Sequence, residues 1–293
     1  MPTKPLESIL YRELSKVEAK EIIDYATNVL ARCAASNSRK PDEDLAILAL
    51  YRHVIEQTDG IEVLLSQGCA PAAIPLLRSS FEAVMSMEYI LESESNYSIR
   101  SLSWLVAYIH NRNGMYQLLD IRTAKGLQFK KDIEDDKIGE YLRSAPEKEA
   151  RQAAANLSSV LTKPHMVLIE QEYSRIKNPQ WYQLFGGPPN AEALARHLKR
   201  GAQYAWLYRH WSTIVHAQDF SSLLTRTKAG RSVIKRLRDT GDIKLTATLG
   251  ATFCMDATRM AMGKYRTEEL GDFAKWYKNE ARTSYLLLAG TAK

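Results

Sequence analysis

AQYAWLYRHWSTIVHA, residues 202–217, is the stretch from which the rest of the chain is read. It carries Tyr204, Trp206, Tyr208 and Trp211 around Arg209, His210 and His216, with no Gly or Pro to interrupt it. Such a run predicts an unbroken helix. At about 100° per residue, positions seven apart lie only about 20° out of phase. Arg209 and His216 therefore share one stripe, with Ser212 and Thr213 between them. A guanidinium, two hydroxyls and an imidazole in line can hold and process a phosphate. They can equally form a polar seam in a helical bundle.

The surroundings are those of a soluble globular chain. There are 293 residues, 45% apolar and 25% charged, enough for a sizeable core. A Leu- and Ala-rich composition with only 14 Gly leans helical. No apolar run approaches the roughly 18 residues that span a bilayer, so no membrane partner is expected. The start, MPTKPLESILYRELSK, has no signal-peptide core, and a cytoplasmic location is the expectation. Cys33, Cys69 and Cys254 lie far apart without paired spacing, which argues against disulfides or a zinc site.

A formal charge of +6 permits a polyanionic partner without requiring one. Its local concentration says more. Between 226 and 244 lie Arg226, Lys228, Arg231, Lys235, Arg236, Arg238 and Lys244, against Asp239 and Asp242. That cluster reads as a solvated loop or helix face, or as nucleic-acid contact through Arg231, Lys235, Arg236 and Arg238.

Helical spacing recurs along the chain. Leu6 to about Ala35 forms a first helix. Pro41 and the acidic Asp42–Asp44 open a second, which Gly68 closes, with Gly60 a mild weakness inside it. Pro71 and Pro75 mark the start of a third, with Ile74, Leu77, Phe81, Val84 and Met85 as its apolar stripe. Arg78 and Glu82 flank that stripe one turn apart. Charge so placed needs a partner, either as an ordinary ion pair or to orient a site residue on another helix. Asn96–Leu119 is a further helix, and the mixed-charge region 122–151 is a solvated excursion. Helices are expected over Ala150–Leu161 and His165–Lys177. NPQWYQLFGGPPN (178–190) reads as loop, pinned by Trp181, Tyr182 and Phe185. Ala191–Lys199 is a short helix. Lys244–Met262 reads as helix, although IKLTATL also allows a strand. A last helix runs from Thr267 to Leu288.

Phosphate loops, HExxH, GxSxG and CxxC are absent. His210 and His216, six apart, point about 120° away from each other on a helix, which argues against a metal pair. No cofactor is expected. An Arg followed closely by a His is a pattern that a chain of this composition holds about once by chance, so the spacing alone carries nothing; its aromatic helix and neighbouring hydroxyls carry more.

LLRSSFEAVMSMEYIL (76–91), WYQLFGGPPNAEALARHL (181–198) and YAWLYRHWSTIVHA (204–217) together resemble an uncharacterised bacterial helical family with an Arg-x-x-x-Glu helix and a Tyr-rich helix ending in Ser-x-x-x-His. That family looks like a branch of the HEPN superfamily, and RHWSTIVH is similar to its ribonuclease signature. The resemblance implies an HEPN-like all-α bundle over about 45–220, as part of a single all-α domain with an N-terminal helix (6–35) and a basic, helical C-terminal extension (221–293). It implies metal-independent endoribonuclease activity, as in toxins and anti-phage systems, with two active helices meeting in a homodimer on RNA. Arg209 and His216 would then be catalytic, and Arg78, Glu82, Tyr208, His210 and Ser212 supporting. The alternative is a non-enzymatic helical module binding a nucleotide or protein partner, with the same polar set structural; a metal-dependent hydrolase is the remotest reading.

Overall fold

The computed structural model describes residues 6–36, 40–136, 147–215, 223–226, 230–235, 237–238 and 242–282, with backbone alone over 6–19 and at 215. Helices dominate throughout. Helix α1 (Leu6–Ala34) buries Ile22, Ala26, Val29 and Cys33, a stripe repeating every three or four residues. Helix α2 (Pro41–Ser66) begins on its proline with three acidic residues in the first turn. Asp44 among them does more than meet the helix dipole: it is buried and accepts a hydrogen bond from the Tyr265 hydroxyl at 3.0 Å. Helix α3 (Ala70–Leu91) starts just ahead of Pro71, so Pro75 falls inside it. Helix α10 (Ile243–Tyr265) completes this layer, and α1, α2, α3 and α10 pack on one another.

IKLTATL is therefore helical. Its buried residues Thr246, Ala247, Gly250, Ala251 and Cys254 recur at helical spacing, and this burial overrides the alternation that allowed a strand. At Gly60 a Cβ would meet the far end of the Leu76 side chain of α3, Cδ1 at 2.9 Å.

The expected single unit divides into two compact units, Met1–Glu94 with Ala191–Lys293, and Ser95–Asn190. The inserted segment is thus longer than its charge pattern marked. In it, α4 (Tyr97–Leu119) has a core of its own: Leu102, Leu105, Val106 and Ile109 pack with Met166, Ile169 and Leu184. Around it lie α5 (Ala124–Asp135), α6 (Glu147–Leu161) and α7 (Val167–Arg175). The Thr123 hydroxyl caps α5 by accepting from Gly126 N at 2.9 Å. Only glycine fits there, because a Cβ would lie 2.0 Å from the Asp120 carbonyl oxygen. The stretch expected as loop contains a 3-10 turn, Trp181–Gly186. Its anchor is Leu184, whereas Phe185 sits at φ 56° with its ring exposed.

Back in the first unit, α8 (Ala191–His197) leads into a continuous helical run, α9, over residues 201–215. The unbroken α-helix expected here is interrupted: Tyr204–Tyr208 form a π turn, and the Arg209 N–H reaches the Tyr204 carbonyl. The basic cluster is neither loop nor helix face alone. It holds a two-stranded antiparallel hairpin, β1 (Leu224–Arg226) with β2 (Ser232–Ile234), Thr225 opposite Val233. After α10 come a 3-10 turn (Thr267–Glu269), α11 (Leu270–Trp276) and a second π turn (Tyr277–Ala281), where one regular helix was expected. Residues 283–288 of that expectation lie outside the described residues. No described helix is long and apolar enough to cross a membrane.

Candidate functional site

The faces of α9 turn to three different elements, α3, α8 and α10, which decides what its polar residues can do. Tyr208 and Ser212, one turn apart, turn toward α3. There the Arg78 guanidinium donates from Nη2 to the Tyr208 hydroxyl at 2.7 Å, from Nη1 to Ser212 Oγ at 3.5 Å and from Nε to Glu82 Oε1 at 3.2 Å. The same guanidinium lies 4.5 Å from the Tyr208 ring centroid, and the Tyr204 ring stacks on Tyr208 at 4.7 Å. The partner that Arg78 and Glu82 required is thus α9. Trp211 is buried beside Phe81 of α3, edge to face.

Electrostatics within this cluster run in two directions. Burial raises the Tyr208 phenol to about 12, the Glu82 carboxylate adds to the rise, and Arg78 opposes it. For Arg78, burial works against the charge, but the Tyr208 hydroxyl and Glu82 outweigh it and the net shift is upward. At neutral pH the cluster is one cation, one neutral phenol and a half-exposed carboxylate.

Arg209 turns elsewhere. Its Nη2 pairs with Glu192 Oε2 of α8 at 2.7 Å, with the side chain 60% exposed. Glu192 also meets Arg196 at 2.8 Å, and Arg196 first, then Arg209, holds its carboxyl below the usual range. The stripe expected to align Ser212 and Thr213 with Arg209 is accordingly split. Ser212 faces Arg78, and the Thr213 hydroxyl folds back onto the His210 carbonyl at 2.7 Å. The π turn ahead of Arg209 also shifts the phase of everything after it relative to 204–208. His210 turns toward α10, where it borders a cavity with Trp206 and Asp242. His216 lies outside the described residues.

Of the basic residues expected at nucleic acid, Arg231 and Lys235 are exposed on the hairpin. Arg238 is otherwise engaged: its Nη1 donates to the Gln67 carbonyl at the end of α2 and lies 3.9 Å from Cys69 Sγ. Arg236 lies outside the described residues. Among the described residues no group of three or more His, Cys, Asp or Glu converges to hold a metal ion.

One ionic cluster gave no signal in the sequence. Arg200, only 15% exposed, donates to Glu88 at 2.5 Å, to Asp256 at 3.1 Å and to Gln203 at 3.0 Å. Its partners are 112 and 56 residues away, so no local spacing announces them.

Comparison with curated proteins and with solved structures finds no match. A family model does match, over residues 44–230. That span takes in α3 with Arg78 and Glu82, the inserted unit, and the whole of the Tyr208–His216 stretch. The chain belongs to DUF5677, a family of unknown function.

Proposed function

We propose that this protein is an HEPN-like, metal-independent ribonuclease. RNA supplies its own nucleophile, the ribose 2′-hydroxyl, which attacks the adjacent phosphorus and expels the 5′-oxygen. The protein must then move a proton and stabilise charge on the phosphate. His216 is assigned the proton transfer, because an imidazole titrates near operating pH. Arg209 is assigned the phosphate, for which its fixed charge and forked donors suit. A homodimer and a role as toxin or anti-phage effector come with the same reading, as does basic-hairpin contact with RNA through Arg231 and Lys235.

One observation carries the proposal. Arg78 fixes α9 to α3 through Tyr208 and Ser212, while Arg209 on the same helix stays 60% exposed. Its pair with Glu192 is a surface ion pair, of a kind worth about 0–1 kcal/mol, which a phosphodiester can displace. The test is cleavage of a mixed RNA by purified protein in the presence of a chelator. Wild type is expected to cut, and Arg209→Ala and His216→Ala are each expected to lose at least a hundredfold in rate with unchanged melting. Intact RNA with wild type, together with a His216→Ala variant that acts as wild type in cells, would end the proposal.

A second reading is a non-enzymatic helical module for a nucleotide or protein partner. It is favoured by the mutual bonding of Arg78, Glu82, Tyr208 and Ser212, which suffices to organise a bundle. With His216 as a member of that network, His216→Ala would lower stability by about 1–3 kcal/mol. An unchanged melting temperature excludes it.

A further inference from the structure

We infer that the cavity between α9 and the start of α10 is a nucleobase pocket, which takes one base of the RNA beside the phosphate held by Arg209. The inference rests on the ribonuclease reading and adds to it a recognised group and a preference among bases.

The cavity encloses about 550 Å³, within the range of small-molecule sites. Ile74 and Leu77 of α3 contribute to its apolar lining, and α9 contributes Trp206 and His210. Trp206 is 81% exposed. A large ring left in water at the mouth of an apolar hollow is a stacking platform, since every base offers a π-face and single-stranded RNA is read by such stacking. The wall that carries Trp206 is the π turn, a backbone form that concentrates at functional sites.

The polar lining narrows the ligand further. Among the described residues that line it none is Lys or Arg, which favours entry of an uncharged part of the ligand over its phosphate. Arg209, the neighbour of His210, stays outside at the helix surface. Within the lining, Asp242 precedes α10 but makes no side-chain capping bond to it. Its carboxylate is an acceptor with no donor role. Adenine, cytosine and guanine each offer it an exocyclic amino group, whereas uracil flanks its single ring N–H with two carbonyl oxygens that repel a carboxylate. The pocket therefore selects amino-bearing bases over uracil.

The experiment uses short fluorescein-labelled 2′-O-methyl homo-oligonucleotides, which lack the attacking hydroxyl, and full-length protein, with anisotropy as the readout. Wild type is expected to bind the cytidine and adenosine oligomers at least fivefold more tightly than the uridine one. Trp206→Ala, which removes an exposed ring and no core contact, is expected to weaken all of them about tenfold. Asp242→Asn is expected to abolish the difference between cytidine and uridine while keeping most of the affinity. No binding by wild type, or a Trp206→Ala variant that binds as wild type does, overturns the pocket. Cleavage of the corresponding unmodified RNAs is measured separately. Selective binding without cleavage would retain the pocket and remove the nuclease, and cleavage indifferent to Trp206 would do the reverse.

Discussion

Two arginines reach α3 from opposite circumstances. Arg200, arriving from the turn between α8 and α9, meets Glu88 near the end of α3 and Asp256 on α10, with every nitrogen of its guanidinium engaged. Arg78, rising from α3 itself, meets one carboxylate on its own helix and two hydroxyls on α9. Both side chains are mostly buried, at 15% and 22% exposure. The first sits between two anions and has no charge left over; it is a lock. The second is matched largely by neutral oxygens, so the cation is held in place without being fully neutralised. A site for an anion needs the second kind of arrangement, and its two hydroxyls belong to the helix that carries Arg209.

The largest effect that should separate the two is on folding. Arg200→Ala strands two carboxylates that are about a third exposed, and is expected to cost about 3 kcal/mol, read as a lower urea midpoint with an unchanged slope. Arg78→Ala should cost less, about 1–2 kcal/mol, because the hydroxyls it leaves behind can turn to water. If the two variants lose equal stability, Arg78 is a lock as well. A smaller effect concerns pH. The Tyr208 phenol is raised to about 12 from an ordinary 10, so the folded protein keeps its proton longer than the unfolded chain does. Its contribution is complete below about pH 10 and is lost as pH climbs toward 12. Tyr208→Phe should therefore cost under about 1 kcal/mol at pH 7 and flatten the decline in melting temperature between pH 10 and 12. A decline as steep as in wild type would show that burial does not hold the Tyr208 proton in the folded protein. Smallest of all, Arg209→Ala should move stability by less than about 0.5 kcal/mol, in keeping with an exposed pair. A larger loss would make Glu192–Arg209 structural and weaken its case as a phosphate ligand.

Much of the helical framework was legible because its signals are local. Pro41 with Asp42–Asp44 marks the α2 start, and the stripe Ile74–Leu77–Phe81–Val84 marks the buried face of α3. Arg78 and Glu82 were legible too, as charges too close to a core to stand alone. What resisted reading depends on distant residues or on very little sequence. Nothing in LKRG predicts that Arg200 will find Glu88 and Asp256. Nothing in YAWLY distinguishes a π turn from an α turn. Strands of three residues each, inside a basic stretch, are too short to show alternation. The extent of the inserted unit was hidden for another reason. Its helix α4 has an apolar stripe like any other, and only the long-range partners Met166 and Leu184 reveal which core it serves.

The π turn at Tyr204–Tyr208 holds one residue more than an α-helical turn would over the same rise. Were the same five residues wound as ordinary α-helix, everything on one side of the turn would swing by roughly a quarter-circle relative to the other. Tyr208 and Ser212 would no longer meet Arg78 while Trp206 still bordered the hollow beside α10. The wide turn acts as a fixed rotational offset between two working faces, so the winding at this point of the chain decides which side chains meet α3 and which border the hollow.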